Sequence, residues 1–155
     1  MKYEDVTKQM YSNAKPREGN VRKQKFFESD GKIYFVDGHN VIYKNNEREI
    51  GVAKLLNETF GGNVKILPNI NYPQGIKTID LKMITSRRTN DCVKTAIRDS
   101  ERQAHNFIID NTFQTVSDDI ILNQIAEIYS MRKFSWFNTI YVLKGNVFIK
   151  VYKRK

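Results

Sequence analysis

The sequence predicts an α/β fold, a mixed central β-sheet flanked by helices. Three observations lead there. β-forming runs alternate with helical periodicities in the order β-hairpin, α, β, β, α, β, α, β-hairpin. One run, Phe107-Ile108-Ile109-Asp110, is almost continuously apolar, as expected of a buried central strand. The 155 residues, 40% of them hydrophobic, suit one domain of ordinary size with a real core.

Each element has its own signal. Residues 1–25 place Val6 and Met10 on a short helix face. The stretch Lys15-Pro16-Arg17-Glu18-Gly19-Asn20 then breaks it, so residues 1–29 read as a basic, flexible or loosely docked arm before a domain spanning 30–155. Lys32 to Val36 and Val41 to Tyr43 are rich in β formers and flank Asp37-Gly38, which predicts a hairpin. Asn45 and Asn46 can cap a helix from about Glu47 to Phe60. Val52, Ala53, Leu56 and Phe60 make its apolar stripe, and Gly61-Gly62 ends it. Val64 to Leu67 reads as a short strand closed by Pro68, and Ile76 to Ile84 as an alternating one. A helix follows from about Asn90 to His105, then the Phe107–Asp110 strand. Ser117-Asp118-Asp119 caps and charges the start of a further helix that runs to Ile128 or Met131. Gly145-Asn146 is the two-residue turn of a last hairpin, between Thr139–Leu143 and Val147–Tyr152.

Composition narrows the function classes. No apolar run approaches the roughly 20 residues that span a bilayer. Met1-Lys2-Tyr3-Glu4-Asp5 lacks the apolar stretch of a signal peptide, so a soluble, cytoplasmic protein is expected. A single cysteine, Cys92, excludes an internal disulfide and a cysteine-rich zinc site, and reads as a buried free thiol. Neither His39 nor His105 sits in a nucleophile motif. The 26 Lys and Arg against 17 Asp and Glu give a formal net charge of +9, which favours polyanions such as nucleic acid. The excess is concentrated at residues 1–25 and at Lys144–Lys155.

The most informative triplet is Asp80-Leu81-Lys82. Residues two apart on a strand share a face, so an acid and an ammonium stand side by side. A carboxylate there can hold a divalent metal, and the lysine can orient a water or neutralise charge on a phosphate. A solvent-facing ion pair is the plainer alternative. Glu49 shares the helix face of Val52 and Ala53, where a carboxylate is costly without a partner. A metal or Lys82 would serve as one, and a wet first turn or the helix dipole are the other readings. Gln103 lies at the edge of the next helix's apolar face, either aimed at the same sheet edge or an ordinary boundary residue. His105 reads as a cap, and Phe134, Trp136 and Phe137 as core or as base-stacking aromatics. Glu49, Asp80 and Lys82 are expected to converge at one sheet edge.

The order Glu on a helix, Asp-x-Lys on a strand and Gln on the next helix resembles the restriction-endonuclease-like nucleases. Within them, the chain from about Asp30 onward resembles the C-terminal tRNase toxin domain of contact-dependent growth inhibition proteins. Copies of that domain also end phage head and mobile-element proteins. The residues that carry the likeness are Val36-Asp37-Gly38-His39-Asn40-Val41, Glu47-Arg48-Glu49 with Ala53 and Leu56, and Phe60-Gly61-Gly62. It continues through Pro73 to Thr78, Asp80-Leu81-Lys82 and Arg102 to Asp110, and Glu4 to Lys8 is similar to the linker before the domain. The resemblance implies a restriction-endonuclease-like core and an RNA-cleaving, tRNase-like toxin of bacterial competition. Its metal, expected to be Mg²⁺, would sit on Glu49 and Asp80. Lys82 and Gln103 would complete the catalytic set, and Lys77, Arg87, Arg88, Lys94 and Arg98 would hold the RNA. tRNA and a cognate immunity protein would be the partners, with no membrane role. The chain departs from the family in lacking an Asp-bearing strand between Thr78 and Asp80. The alternative is therefore a catalytically impaired nucleic-acid-binding or interaction module, and after it a structural head-protein appendage.

Overall fold

A computed structural model of the chain describes residues 2–43, 47–73, 82–83, 92–99, 105–112 and 116–155. In chain order its elements are β1 (Tyr3–Asp5), α1 (Thr7–Ser12), β2 (Val21–Lys23), β3 (Phe26–Ser29), β4 (Lys32–Phe35), β5 (Val41–Ile42) and α2 (Glu47–Phe60). They continue with β6 (Val64–Ile66), β7 (Asn69–Ile70), β8 (Lys82–Met83), α3 (Cys92–Asp99), β9 (Asn106–Asp110), α4 (Asp118–Ser130), a short 3-10 turn (Arg132–Phe134), β10 (Thr139–Lys144) and β11 (Val147–Arg154). The fold is mixed α/β, and the chain divides into two units, Met1–Met10 with Asp80–Lys155, and Tyr11–Ile79.

The first unit is built on a mixed sheet ordered β1-β11-β10-β9-β8. Gly145, at φ 64°, supplies the left-handed turn residue that lets β10 and β11 form the expected antiparallel hairpin, with a bulge between Val142 and Leu143. β9 runs parallel to both β10 and β8, so α4 and α3 lie in the two crossovers. Ser117 caps α4 by accepting from the Ile120 N–H, as its sequence position predicts. Ile121, Ile125 and Ile128 then fall on one helical stripe, fully buried against Val93 and Ile97 of α3, Phe107 and Ile109 of β9, and Ile140 and Val142 of β10. The continuous apolar run at 107–109 is thus a central strand, as read from the sequence.

An aromatic cluster closes the core near the end of α4. The Tyr129 ring stacks on Tyr3 at 4.6 Å and tilts against Phe137 at 4.8 Å. Its hydroxyl donates to the Asn138 and Tyr152 carbonyls, and burial pushes the phenol well above its ordinary pKa. Arg154 lays its guanidinium over the Tyr129 and Phe137 rings and donates to the carbonyls of Phe137 and Phe134, both at 2.9 Å.

Residues 3–5, read from the sequence as part of an arm, are β1, the edge strand beside β11. Asp5 secures it, accepting from the N–H and hydroxyl of Thr7 and pairing with Lys150 at 2.8 Å. Partial burial opposes the Asp5 charge, but the Lys150 and Thr7 contacts outweigh it and hold the carboxyl below its ordinary 3.8. A depressed folded pKa means the contribution is present above the unfolded pKa and lost as pH falls through the folded one. The two side chains are 42% and 38% exposed, which limits the pair to under about 1 kcal/mol. Amide protection in β1 should therefore weaken as pH falls below about 4. Hydrogen exchange in which Asp5→Asn keeps the same pH response as the wild type would exclude Asp5 as the cause.

The second unit carries three two-stranded pairings. β2 runs parallel to β6, β3 pairs antiparallel with β4, and β5 pairs antiparallel with β7. The hairpin expected from residues 32–36 and 41–43 is corrected here: β4 pairs backward with β3, and β5 turns to β7. Two Asp-Gly pairs compete in this stretch. Asp30 and Gly31 both take positive φ, 50° and 76°, and make the tight hairpin turn. Asp37 instead turns its side chain inward, where Oδ1 accepts from the N–H groups of His39, Asn40 and Val41 and holds a closed loop. α2 buries Val52 and Ala53 and stops at Gly61, where a side-chain carbon would come within 2.0 Å of the Lys15 carbonyl. Residues 15–20 are docked there by backbone bonds, Lys15 N–H to Phe60 and Arg17 N–H to Asn57.

Candidate functional site

Open sheets with parallel strands collect functional groups at the carboxyl ends of those strands, where loops lead into helices. In the first unit, Met83, Asp110 and Lys144 mark that edge on β8, β9 and β10. Polar residues gather there although the strands themselves are apolar. Asp110 is fully buried, and its Oδ1 accepts from both the N–H and the hydroxyl of Thr112. The Thr112 hydroxyl in turn accepts from the Gly145 N–H at 3.2 Å, which ties the strand end to the turn of the last hairpin.

The next residue, Asn111, is 1% exposed and takes the opposite face. Its amide nitrogen donates to Val116 O at 2.9 Å and to Asp118 Oδ1 at 3.2 Å, while its Oδ1 is buried with no hydrogen-bond partner. Asp118 sits in the first turn of α4 and pairs its other oxygen with Lys144 at 2.8 Å. The result is a neutralised carboxylate–ammonium pair linked to an amide with an unused acceptor. Such an arrangement can accept from a donor or orient a polar ligand at the strand ends, but Lys144 already balances its one exposed carboxylate. Deeper in, Gln124 accepts from the Val93 N–H at 2.9 Å and joins α4 to the start of α3.

Sequence reasoning passed over Asp110, Asn111, Asp118 and Lys144 as site residues. The available signal was a run of polar residues, Asp110-Asn111-Thr112, placed directly after an apolar strand.

The sequence-predicted residues distribute as follows. Lys82 lies on β8, the end strand of the sheet among the described residues, and its backbone stands in register with Ile109 while Met83 stands in register with Asp110. Glu49 lies in the first turn of α2, in the second unit, and is half-buried. Lys94, on α3, is half-buried and paired with Glu127 at 3.1 Å, so its charge is already balanced. Arg98 is exposed on the last turn of the same helix. Asp80, Gln103, Lys77, Arg87 and Arg88 lie outside the described residues, as does the Cys92 thiol. His105 is exposed, with Nδ1 at 2.8 Å from the Trp136 carbonyl, a local tie between loop ends.

As metal ligands, Glu49 and Asp80 would both offer hard oxygen donors. Mg²⁺ takes one or two carboxylates and keeps several waters, so on donor chemistry the two residues fit it. Among the described residues no group of three or more His, Cys, Asp or Glu side chains is gathered to hold an ion. No described helix is long and apolar enough to cross a membrane.

No protein-family model matches the chain, and comparison with curated proteins and with solved structures returns no match.

Proposed function

We propose that this protein is an RNA-cleaving, toxin-type nuclease of the tRNase kind, with a restriction-endonuclease-like core. The observation that carries this reading is the position of Lys82. It lies on the end strand of a mixed sheet, parallel to β9 and one residue short of the polar edge at Asp110. An acid two residues before it on a strand would share its face. The chain's net charge of +9 supplies the attraction for a polyphosphate backbone.

In this reading Asp80 and Glu49 hold the ion, expected to be Mg²⁺, which when bound supplies Lewis acidity toward the scissile phosphate. Lys82 holds the attacking water or the phosphate by its ammonium, and Gln103 positions it. Substrate is tRNA, and a cognate immunity protein is the natural partner of such a toxin. The reading that a nuclease ancestor has become a binding module is favoured by the absent Asp-bearing strand between Thr78 and Asp80.

Incubating the purified protein with total RNA, with and without Mg²⁺, separates the two. Metal-dependent cleavage supports the nuclease, and RNA retention without cleavage supports the module. Affinity should also fall steeply with salt, because each neutralised phosphate releases counterions. Several such contacts cost orders of magnitude between about 50 and 200 mM. An affinity that stays flat over that range would remove the charge argument from either reading.

A further inference from the structure

The β3–β4 ribbon carries an apolar face that nothing in the chain covers. Its register pairs Phe26 with Phe35 and Glu28 with Ile33, so these four side chains share one face. Phe35 is 67% exposed, Ile33 54% and Phe26 37%, whereas single exposed apolar residues elsewhere do not adjoin one another in this way. The two phenyl rings lie 6.4 Å apart and tilted, leaving ring surface open to solvent. The bases Arg22, Lys25 and Lys32 flank this face, are exposed, and make no ion pair with any described residue.

We propose that this ribbon is a stacking platform for single-stranded nucleic acid, with bases on Phe26 and Phe35 and phosphates on Arg22, Lys25 and Lys32. Open ring faces beside unpaired cations are the two elements such surfaces combine. Glu28 decides against the other occupants. It stands in the middle of the apolar face, and a lipid surface or an apolar protein partner would have to bury its charge. A stacked base covers only the rings and leaves Glu28 wet, free to accept from an exocyclic base amine. The proposal rests on the RNA-directed function above and adds the surface and the strandedness it recognises.

The test uses the full chain in EDTA, so that cleavage does not intervene. Fluorescence polarisation compares a labelled oligouridylate with a labelled RNA duplex. Phe26→Ala/Phe35→Ala should weaken the single strand by about 10- to 100-fold and change duplex affinity little. Phe35→Trp should bind as well as the wild type, and Phe35→Leu, which keeps apolar area without a ring, should lose affinity. Equal single-strand binding by the wild type and the double variant overturns the platform while leaving the RNA function standing. A wild type that binds neither RNA overturns both. Self-association, or binding to anionic vesicles, that disappears in the double variant while RNA binding stays intact would assign the face to a second copy or a membrane and also overturn the proposal.

Discussion

Replacing Asp80 with Asn lowers metal-dependent RNA cleavage by about 10²-fold or more, an effect on the scale of removing one charge-stabilising group from an active site. The substitution keeps the side chain's shape and removes only the charge that would hold a cation. Lys82→Met keeps most of the stem and removes the ammonium, and the same loss is expected. RNA affinity should stay close to that of the wild type in both, because it is summed over many phosphate contacts. Cleavage of total RNA on a denaturing gel and polarisation binding in EDTA read the two quantities separately. Expression in bacteria gives a third readout, in which Asp80→Asn is less toxic. Wild-type protein that neither cuts RNA with any common divalent ion nor slows growth would end the nuclease reading and leave the binding module. Cleavage by Asp80→Asn at the wild-type rate would remove Asp80 from the site.

The second large effect falls on stability. Phe137 is 1% exposed and its ring meets Tyr129 at 4.8 Å, Trp136 at 6.0 Å and Phe107 at 6.2 Å, with the Arg154 guanidinium over it at 4.8 Å. Phe137→Ala should cost about 3–5 kcal/mol, through lost burial and the cavity left behind. That is a large share of the roughly 5–15 kcal/mol that holds a domain together. Urea unfolding followed by circular dichroism measures it, and a loss below about 1 kcal/mol would mean that the cluster repacks around the hole. Phe137→Leu should recover much of the difference. The contrast with Asp80→Asn is informative: Phe137→Ala weakens fold, binding and cleavage together, whereas the site variants weaken cleavage alone.

The candidate site was legible only in part. Asp80-Leu81-Lys82 stands out because two polar residues with a period of two interrupt an apolar run, and β8 confirms strand conformation at Lys82. Asp110 and Asn111 were passed over because nothing local distinguishes the last residues of a strand from the first residues of a turn. Their burial comes from partners far along the chain: Leu143 receives the Asn111 N–H, and Gly145 donates to Thr112. Lys94 was read as a phosphate contact, yet its nearest anion, Glu127, lies on another helix 33 residues away.

By itself the sequence determined the local elements whose signals are complete within a few residues. The Ser117 cap, the Ile121-Ile125-Ile128 stripe, the Gly145-Asn146 turn and the apolar run of β9 are all of this kind, and with them came the α/β class. Only the tertiary structure decided which strands pair. Two Asp-Gly turns lie seven residues apart, and local propensity cannot rank them. The choice went to Asp30-Gly31 because both residues there take positive φ, while the Asp37 carboxylate is occupied by three backbone N–H groups. β1 is a three-residue strand that exists because β11 offers it an open edge and Lys150 pairs with Asp5. Pairing energy of that kind depends on chain segments brought together from opposite ends of the sequence, and no local periodicity encodes it.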